Sequence, residues 1–396
     1  MSAVRRALPL WLVLVAAYAV VLVVPGGRDV RGPEAQRLLV AAAIVHDGDV
    51  DVRHQYARQV WRQWPGAPRH LPPGPIDGRD LRPVGLGFAA LIAPAYWVAG
   101  PDGVRVLLMM IAALGFCLAA ALGRALVPEP WATRAACVAG LSPPAVAGAG
   151  AIAPGLVGAT LLAGAALLAL RVREEPRRSW AFWGAALVGV LPWIATELIA
   201  PAAVVALAMA RWLRRRQRGL AGFIALEVVL TSAVVYITVS DRLFGGLTPH
   251  DVAAGGATGA SGVVDHLARA PRVVTALFGA QGLLVWSPFL LLALVAGWRL
   301  GRSYRERLRV ALPGQSDVEV AAAFFALIAL AVWLTAAFAA PGLGDGGGGR
   351  AWAHARHMLP ALPPLAALSA WGWRFAPRTG WALAVLTVAA NALLLL

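Results

Sequence analysis

Apolar runs of about 20 residues recur from one end of this chain to the other, and that repetition limits the fold more than any other feature. Coiled as an α-helix, such a run matches the hydrocarbon thickness of a bilayer. A chain built from many of them has no polar surface with which to enclose them all in water. The charged fraction agrees: 14% of the residues are Asp, Glu, Lys or Arg, against about 25% in an ordinary soluble domain. Outer-membrane barrels instead show alternating segments of about ten residues, and none occur in this sequence. The first run, Leu8 to Val24, has no small-residue cleavage site behind it and reads as a retained helix. The expectation is an all-α polytopic membrane protein, residues 1–396 forming a single membrane domain.

The net charge of +15 is carried entirely by arginine. Most of it sits in short loops between apolar runs, which is a record of topology and not a nucleic-acid footprint, so no nucleic-acid partner is expected. The absence of lysine carries no chemistry. Cys117 and Cys137 fall inside apolar runs with no ligand company, so neither a disulfide nor a metal site is expected of them.

The arginine-rich loops are Arg5–Arg6, Arg124 with Arg134, 171–178, 211–218, 299–309, and Arg374 with Arg378. The excess of positive charge in cytoplasmic loops places all of them inside. Spans then fall near 8–24, 102–122, 131–148, 154–170, 179–194, 198–212, 219–240, 282–298, 318–339, 359–373 and 380–396. That is about eleven transmembrane helices, within a range of roughly ten to thirteen. The run Val84–Gly100 is short, carries a proline and several glycines, and would invert every later arginine loop if it crossed. It reads as an interfacial or re-entrant helix.

The other face collects the unusual sequence. A first outer loop runs from 25 to 101, a short one covers 141–155, another 241–281, and a Gly-rich one 341–358. Within the first, Pro33 and Glu34 suit the first turn of a helix, where proline lacks no partner and an acid meets the positive helix end. The apolar run Leu38–Val45 continues that helix and "HDGD" stops it. Asp47, Asp49 and Asp51 suit turns and caps. A second helix is expected from Asp49 or Asp51, with Val52, Tyr56, Val60, Trp61 and Trp64 on one face. Arg53, Arg58, Arg62, His54, Gln55 and Gln59 take the others, as in a helix lying in the membrane interface. Its arginines either hold lipid phosphate or are merely structural. Glu34 is either a helix-end acid or a catalytic base. Glu197, at the outer end of an apolar run, is a candidate for lining a cavity, and Glu227 for pairing with an arginine of 211–218.

The stretch "GPEAQRLLVAAAIVHDGDVDVRHQYARQVW", the segment "RPVGLGFAALIAPAYWVAG" and the late "RHMLPALPPLAALSAWG" together resemble the GT-C superfamily. These are integral-membrane glycosyltransferases of the protein O-mannosyltransferase and aminoarabinose transferase type. The resemblance covers the architecture of most of the chain and rests on short motifs. It implies a polyprenyl-phosphate-linked sugar as donor, and a glycan, lipid or protein acceptor. The site would lie on the outer face of the cytoplasmic membrane. It implies Glu34 as the carboxylate that deprotonates or orients the acceptor. Arg356 and His357, with Arg350 and His354 behind them, would meet the donor phosphate. The sequence departs from the family where an Asp-Glu pair is usual, since Pro33 precedes Glu34. Gln36 and Arg37 replace the usual aromatic and histidine, and the short second outer loop has no acid. Asp29 or Asp47 could substitute for the missing carboxylate. No metal-ligand set is apparent, and participation of a divalent metal is left open. A transporter or flippase of a lipid-linked intermediate, and an inactive GT-C-like partner protein, are the competing readings.

Overall fold

The computed structural model describes residues 3–24, 27–71, 75–76, 79–82, 84–215, 219–248, 270–280, 282–310, 316–338 and 355–392. It is a bundle of helices whose core is continuous from Leu10 to Ala384 and is made largely of Ala, Leu, Val and Phe. The first helix, α1 (Ala3–Ala19), packs on α4 (Leu86–Gly123). Next come α5 (Trp131–Gly140), α6 (Pro143–Gly150), α7 (Gly155–Glu174), α8 (Arg178–Ile194), α9 (Ile199–Arg215) and α10 (Gly219–Phe244). The chain continues through α11 (Pro271–Phe278), α12 (Leu283–Trp286), α13 (Leu291–Val310), α14 (Asp317–Phe338), α15 (Leu362–Phe375) and α16 (Pro377–Ala389). The one strand pairing among the described residues is two residues long, Pro75–Ile76 against Arg79–Asp80.

Among the described residues, five helices are long and apolar enough to cross a bilayer, and six if the bent segment Pro271–Trp286 with Pro288–Glu306 counts as one. The structure thus does not confirm the expected eleven spans. Proline explains much of the difference, since it cannot donate to the preceding turn and its ring clashes there. The expected span 131–148 is divided into α5 and α6 at Leu141–Ser142, where Pro143 and Pro144 open the second piece. Ser142 caps the break by donating its hydroxyl to Ala139 O at 2.7 Å. Another break precedes Pro288, where the chain bends by 111°.

The helix α4 is also two arms. Ala99 (φ −147°, ψ 26°) and Gly100 (φ 58°, ψ −145°) leave the helical region between them. Only glycine adopts the Gly100 conformation without strain, and Pro101 then starts the second arm as helix-opening prolines do. The first arm, Leu86–Val98, is about 20 Å long at the helical rise, well short of the roughly 30 Å hydrocarbon layer. At its start, the Cα of Gly85 lies so close to Ile194 that a Cβ there would meet the Ile194 carbonyl oxygen at 2.2 Å. Just past its end, Asp102 faces Arg28 at 3.7 Å and Arg105 at 3.5 Å. Both ends therefore lie at the same end of the bundle.

The arginine-rich segments gather at the opposite end. Arg173 pairs with Asp317 at 2.5 Å. Arg134 lies 5.6 Å from the ring centre of Trp381, Arg177 5.0 Å from that of Trp180, and Arg299 3.7 Å from that of Phe375.

Candidate functional site

The first turn of α2 (Gly32–His46) carries the carboxylate that the sequence singled out, and it is buried, 8% exposed. Pro33 stands in that turn and Glu34 reaches back to the N-cap, accepting from Arg31 N at 3.2 Å through Oε2. Its other oxygen accepts from Ile152 N at 2.9 Å. One turn further along the same face, Arg37 donates Nη1 to Ile152 O at 2.8 Å. Glu34 and Arg37 therefore hold both main-chain polar groups of a single residue. That residue belongs to the acid-free loop between α6 and α7, which contributes to the site through its backbone.

Beneath this clasp lies Arg105, on the second arm of α4 and 1% exposed. Its Nη2 donates to Asp29 O at 3.1 Å and stands 3.9 Å from Glu34 Oε2. A guanidinium so deep needs compensating charge, and Glu34 and Asp102 supply it.

Two short turns complete the arrangement. Thr196–Leu198 links α8 to α9 and carries Glu197; Ala355–Ala361 precedes α15 and carries Arg356 and His357. Each turn is seated by a leucine in a gap left by glycine. A Cβ on Gly158 would meet Leu198 Cδ1 at 2.6 Å, and one on Gly148 would meet Leu359 Cδ1 at 2.8 Å. Glycines of "AVAGAGAIAPGLVG", residues 145–158, thus let both turns approach. Across the junction His357 Nδ1 lies 3.3 Å from Glu197 Oε2, and Arg356 Nε donates to His357 Nε2 at 3.4 Å. The Glu197 and His357 side chains keep 29% and 23% of their surface open.

Electrostatics tie the two halves together. Burial pulls the Arg37 guanidinium below its usual value; Glu34 and Glu197 oppose that shift and Arg356 reinforces it. Two arginines and two carboxylates from three elements are thus within electrostatic reach of one another at one end of the bundle.

Of the residues expected in a site, Glu34, Glu197, Arg356 and His357 converge. Arg350 and His354 lie outside the described residues, as does most of the Gly-rich loop and of the loop 241–281. Asp47 is not brought to this cluster. It is the C-cap of α2, about 20 Å from Glu34 along the helix, and it accepts from Gln55 Nε2 at 2.6 Å with His54 Nδ1 at 3.3 Å. That amide hydrogen bond holds the Asp47 carboxyl below the usual range. Asp29 is exposed, its carboxyl packed over Gly66, and it meets the site through its main-chain carbonyl. The second juxtamembrane helix is shorter than expected: α3 (Arg53–Ala57) ends before Gln59, whose φ is 54°, and Val60–Gln63 continues as a 3-10 turn. Val52, Trp61 and Trp64 are buried as expected, but Gln55 is buried with them because Asp47 receives its amide. Glu227 is exposed on α10, and no ion pair joins it to Arg211, Arg214 or Arg215 among the described residues. Arg37 and Arg105 were not singled out from sequence as site residues. The spacing of Arg37 from Glu34, and a lone arginine inside an apolar run, were the signals for them.

A helical bundle of membrane-spanning length, with ionisable groups clustered where its short loops meet, defines a polytopic integral membrane protein with a polar site at one end. No protein-family model and no curated protein sequence matches the chain. Among solved structures, its fold is similar to that of ArnT from Cupriavidus metallidurans bound to undecaprenyl phosphate. The TM-score is 0.52 with 14% identity, over 99% of this chain and 64% of that one. The same protein in the apo state aligns at a TM-score of 0.49 with 16% identity, over 95% of this chain and 62% of that one. The chain therefore has a GT-C-like fold, and it spans somewhat less than two thirds of the length of the structures it matches.

Proposed function

We propose that this chain is a glycosyltransferase that moves a sugar from a polyprenyl-phosphate carrier to an acceptor at the outer face of the cytoplasmic membrane. The observation that carries the proposal is the convergence of Glu34, Arg37, Glu197, Arg356 and His357 at one end of a GT-C-like bundle. Arg37 and Arg356 are like charges held close at a cost, and a phosphate set before them relieves that cost while gaining charge-assisted hydrogen bonds. His357 adds a further group beside Arg356. The carboxylates supply the other half of the chemistry: a glycosyl acceptor must lose a proton as it attacks, and Glu34, which the family resemblance implicates, and Glu197 both stand in the cluster. The fold match to a protein crystallised with undecaprenyl phosphate favours a lipid carrier of that class. The arginine-rich segments at the opposite end of the bundle support the outward orientation.

Binding and transfer test this reading separately. In lipid nanodiscs the parent protein is expected to bind undecaprenyl phosphate, and Arg356→Ala to weaken that binding at least tenfold. Membranes supplied with a labelled undecaprenyl-phosphate-linked sugar are expected to transfer label, less so with Glu34→Gln. Equal binding and transfer by parent and variants would refute the assignment of the site. Movement of the lipid across liposomes without any transfer would favour the flippase reading.

A further inference from the structure

The clasp on Ile152 separates the two carboxylates of the cluster by availability. Both oxygens of Glu34 accept a main-chain N–H, the side chain is buried, and Arg105 stands behind it. An acceptor hydroxyl could reach it only by displacing one of those donors or entering a closed corner. The Glu197 and His357 side chains are more exposed than that of Glu34, at 29% and 23% against 11%. We propose that Glu197 and His357 are the proton-transfer pair of the reaction, and that Glu34 is a positioning residue that fixes the loop between α6 and α7. This assignment rests on the transfer reading above and moves the base away from Glu34.

The geometry fixes a direction for the proton. With Glu197 ionised, His357 carries its hydrogen on Nδ1 and donates it to Oε2 at 3.3 Å, so the lone pair is on Nε2. Arg356 Nε points at that same nitrogen at 3.4 Å, a donor facing an acceptor at the long limit of a hydrogen bond. A phosphate that draws the Arg356 guanidinium toward itself uncovers Nε2. Among the described residues, the groups around the pair include Arg356 from the turn before α15 and Arg37 with Glu34 from α2.

The acceptor oxygen bonds to the anomeric carbon and passes its proton to His357 Nε2. The bond from the anomeric carbon to the phosphate oxygen breaks, and its electron pair leaves with the polyprenyl phosphate, which Arg37 and Arg356 face. The imidazolium is paired with Glu197 until the proton passes to water. The arrangement is a carboxylate orienting an imidazole so that one ring nitrogen is always the acceptor.

Two measurements decide the assignment. In histidine-selective ¹⁵N spectra of the protein in nanodiscs, neutral His357 is expected as the Nδ1-protonated tautomer. Glu197→Gln is expected to erase that preference. An Nε2-protonated ring, or a tautomer preference unchanged by Glu197→Gln, would overturn the proposal. In transfer assays with undecaprenyl-phosphate-linked glucose, mannose and aminoarabinose as probes, Glu197→Gln and His357→Ala are expected to lower turnover about 100-fold, as loss of a general base does. The donor KM should stay within about threefold, and Glu197→Asp should recover part of the rate. Glu34→Gln is expected to lower the melting temperature and cost turnover less than tenfold. A parent that transfers label while Glu197→Gln matches it sinks the pair alone. A parent that transfers from none of the three donors sinks the transfer reading and the pair with it.

Discussion

Arginine is used in opposite ways at the two ends of this bundle. At the basic end the guanidiniums lie on aromatic faces, as Arg299 does on Phe375 and Arg134 on Trp381. Others meet acids at the surface, as Arg302 meets Glu306 at 2.8 Å with both side chains more than half exposed. At the other end Arg37 and Arg105 are spent on main-chain carbonyls and buried acids. The first kind can be exchanged one for another with little effect, because water and lipid headgroups remain alternative partners. The second kind cannot, because nothing else in the interior would take up the charge left behind. Burial and the partners at hand, and not residue type, decide what an arginine does here.

Substitutions put that contrast to the test. The largest effect is expected from Arg105→Met, which leaves Glu34 without its buried counter-charge and should cost about 3–5 kcal/mol. Thermal unfolding in detergent reads it, and a negligible change would place Arg105 with the surface arginines. Next come Glu34→Gln, which turns an amide NH2 toward one of the two main-chain N–H groups that Glu34 holds, and Arg37→Gln, which withdraws the guanidinium from Ile152 O; each is expected to cost about 1–3 kcal/mol. Because both act on one residue, the double variant should cost less than the two single costs added together, as a double-mutant cycle would show. Strictly additive costs would mean that the two contacts are independent.

A smaller effect concerns acid. Asp47 is held below the usual carboxylate range chiefly by the Gln55 amide. A depressed carboxyl stabilises the fold above its unfolded value of about pH 4, and the stabilisation is lost as pH falls through the folded value. Gln55→Ala should raise the Asp47 titration midpoint, seen by carboxyl ¹³C NMR, and flatten the dependence of stability on pH below about 4. An unmoved midpoint would assign the shift to His54. Smallest of all, Arg299→Ala should change the melting free energy by no more than about 1 kcal/mol.

Much of this was legible in the sequence, and what was not has physical reasons. Pro33 followed by Glu34 announced a helix start, and the structure has one there. The "RH" pair at 356 and 357 and the acid at 197 stand out as polar residues beside apolar runs, and they do meet. The count of spans was not legible, because an apolar run records only affinity for lipid, while Pro143, Pro144 and Pro288 set where it breaks. The part played by the second loop was hidden for a different reason. Ile152 acts through its N–H and carbonyl, which every non-proline residue has. Polarity alone places Gln55 on the faces away from Val52, Trp61 and Trp64, and only the fold shows that Asp47 accepts its amide.

The double hold on Ile152 has a consequence for motion. Because Glu34 grips the amide and Arg37 grips the carbonyl of one residue, any displacement of the linker between α6 and α7 at Ile152 strains both grips together. Release would bare an anionic and a cationic group in the same instant, so the escape of that linker and the unmasking of Arg37 are one event.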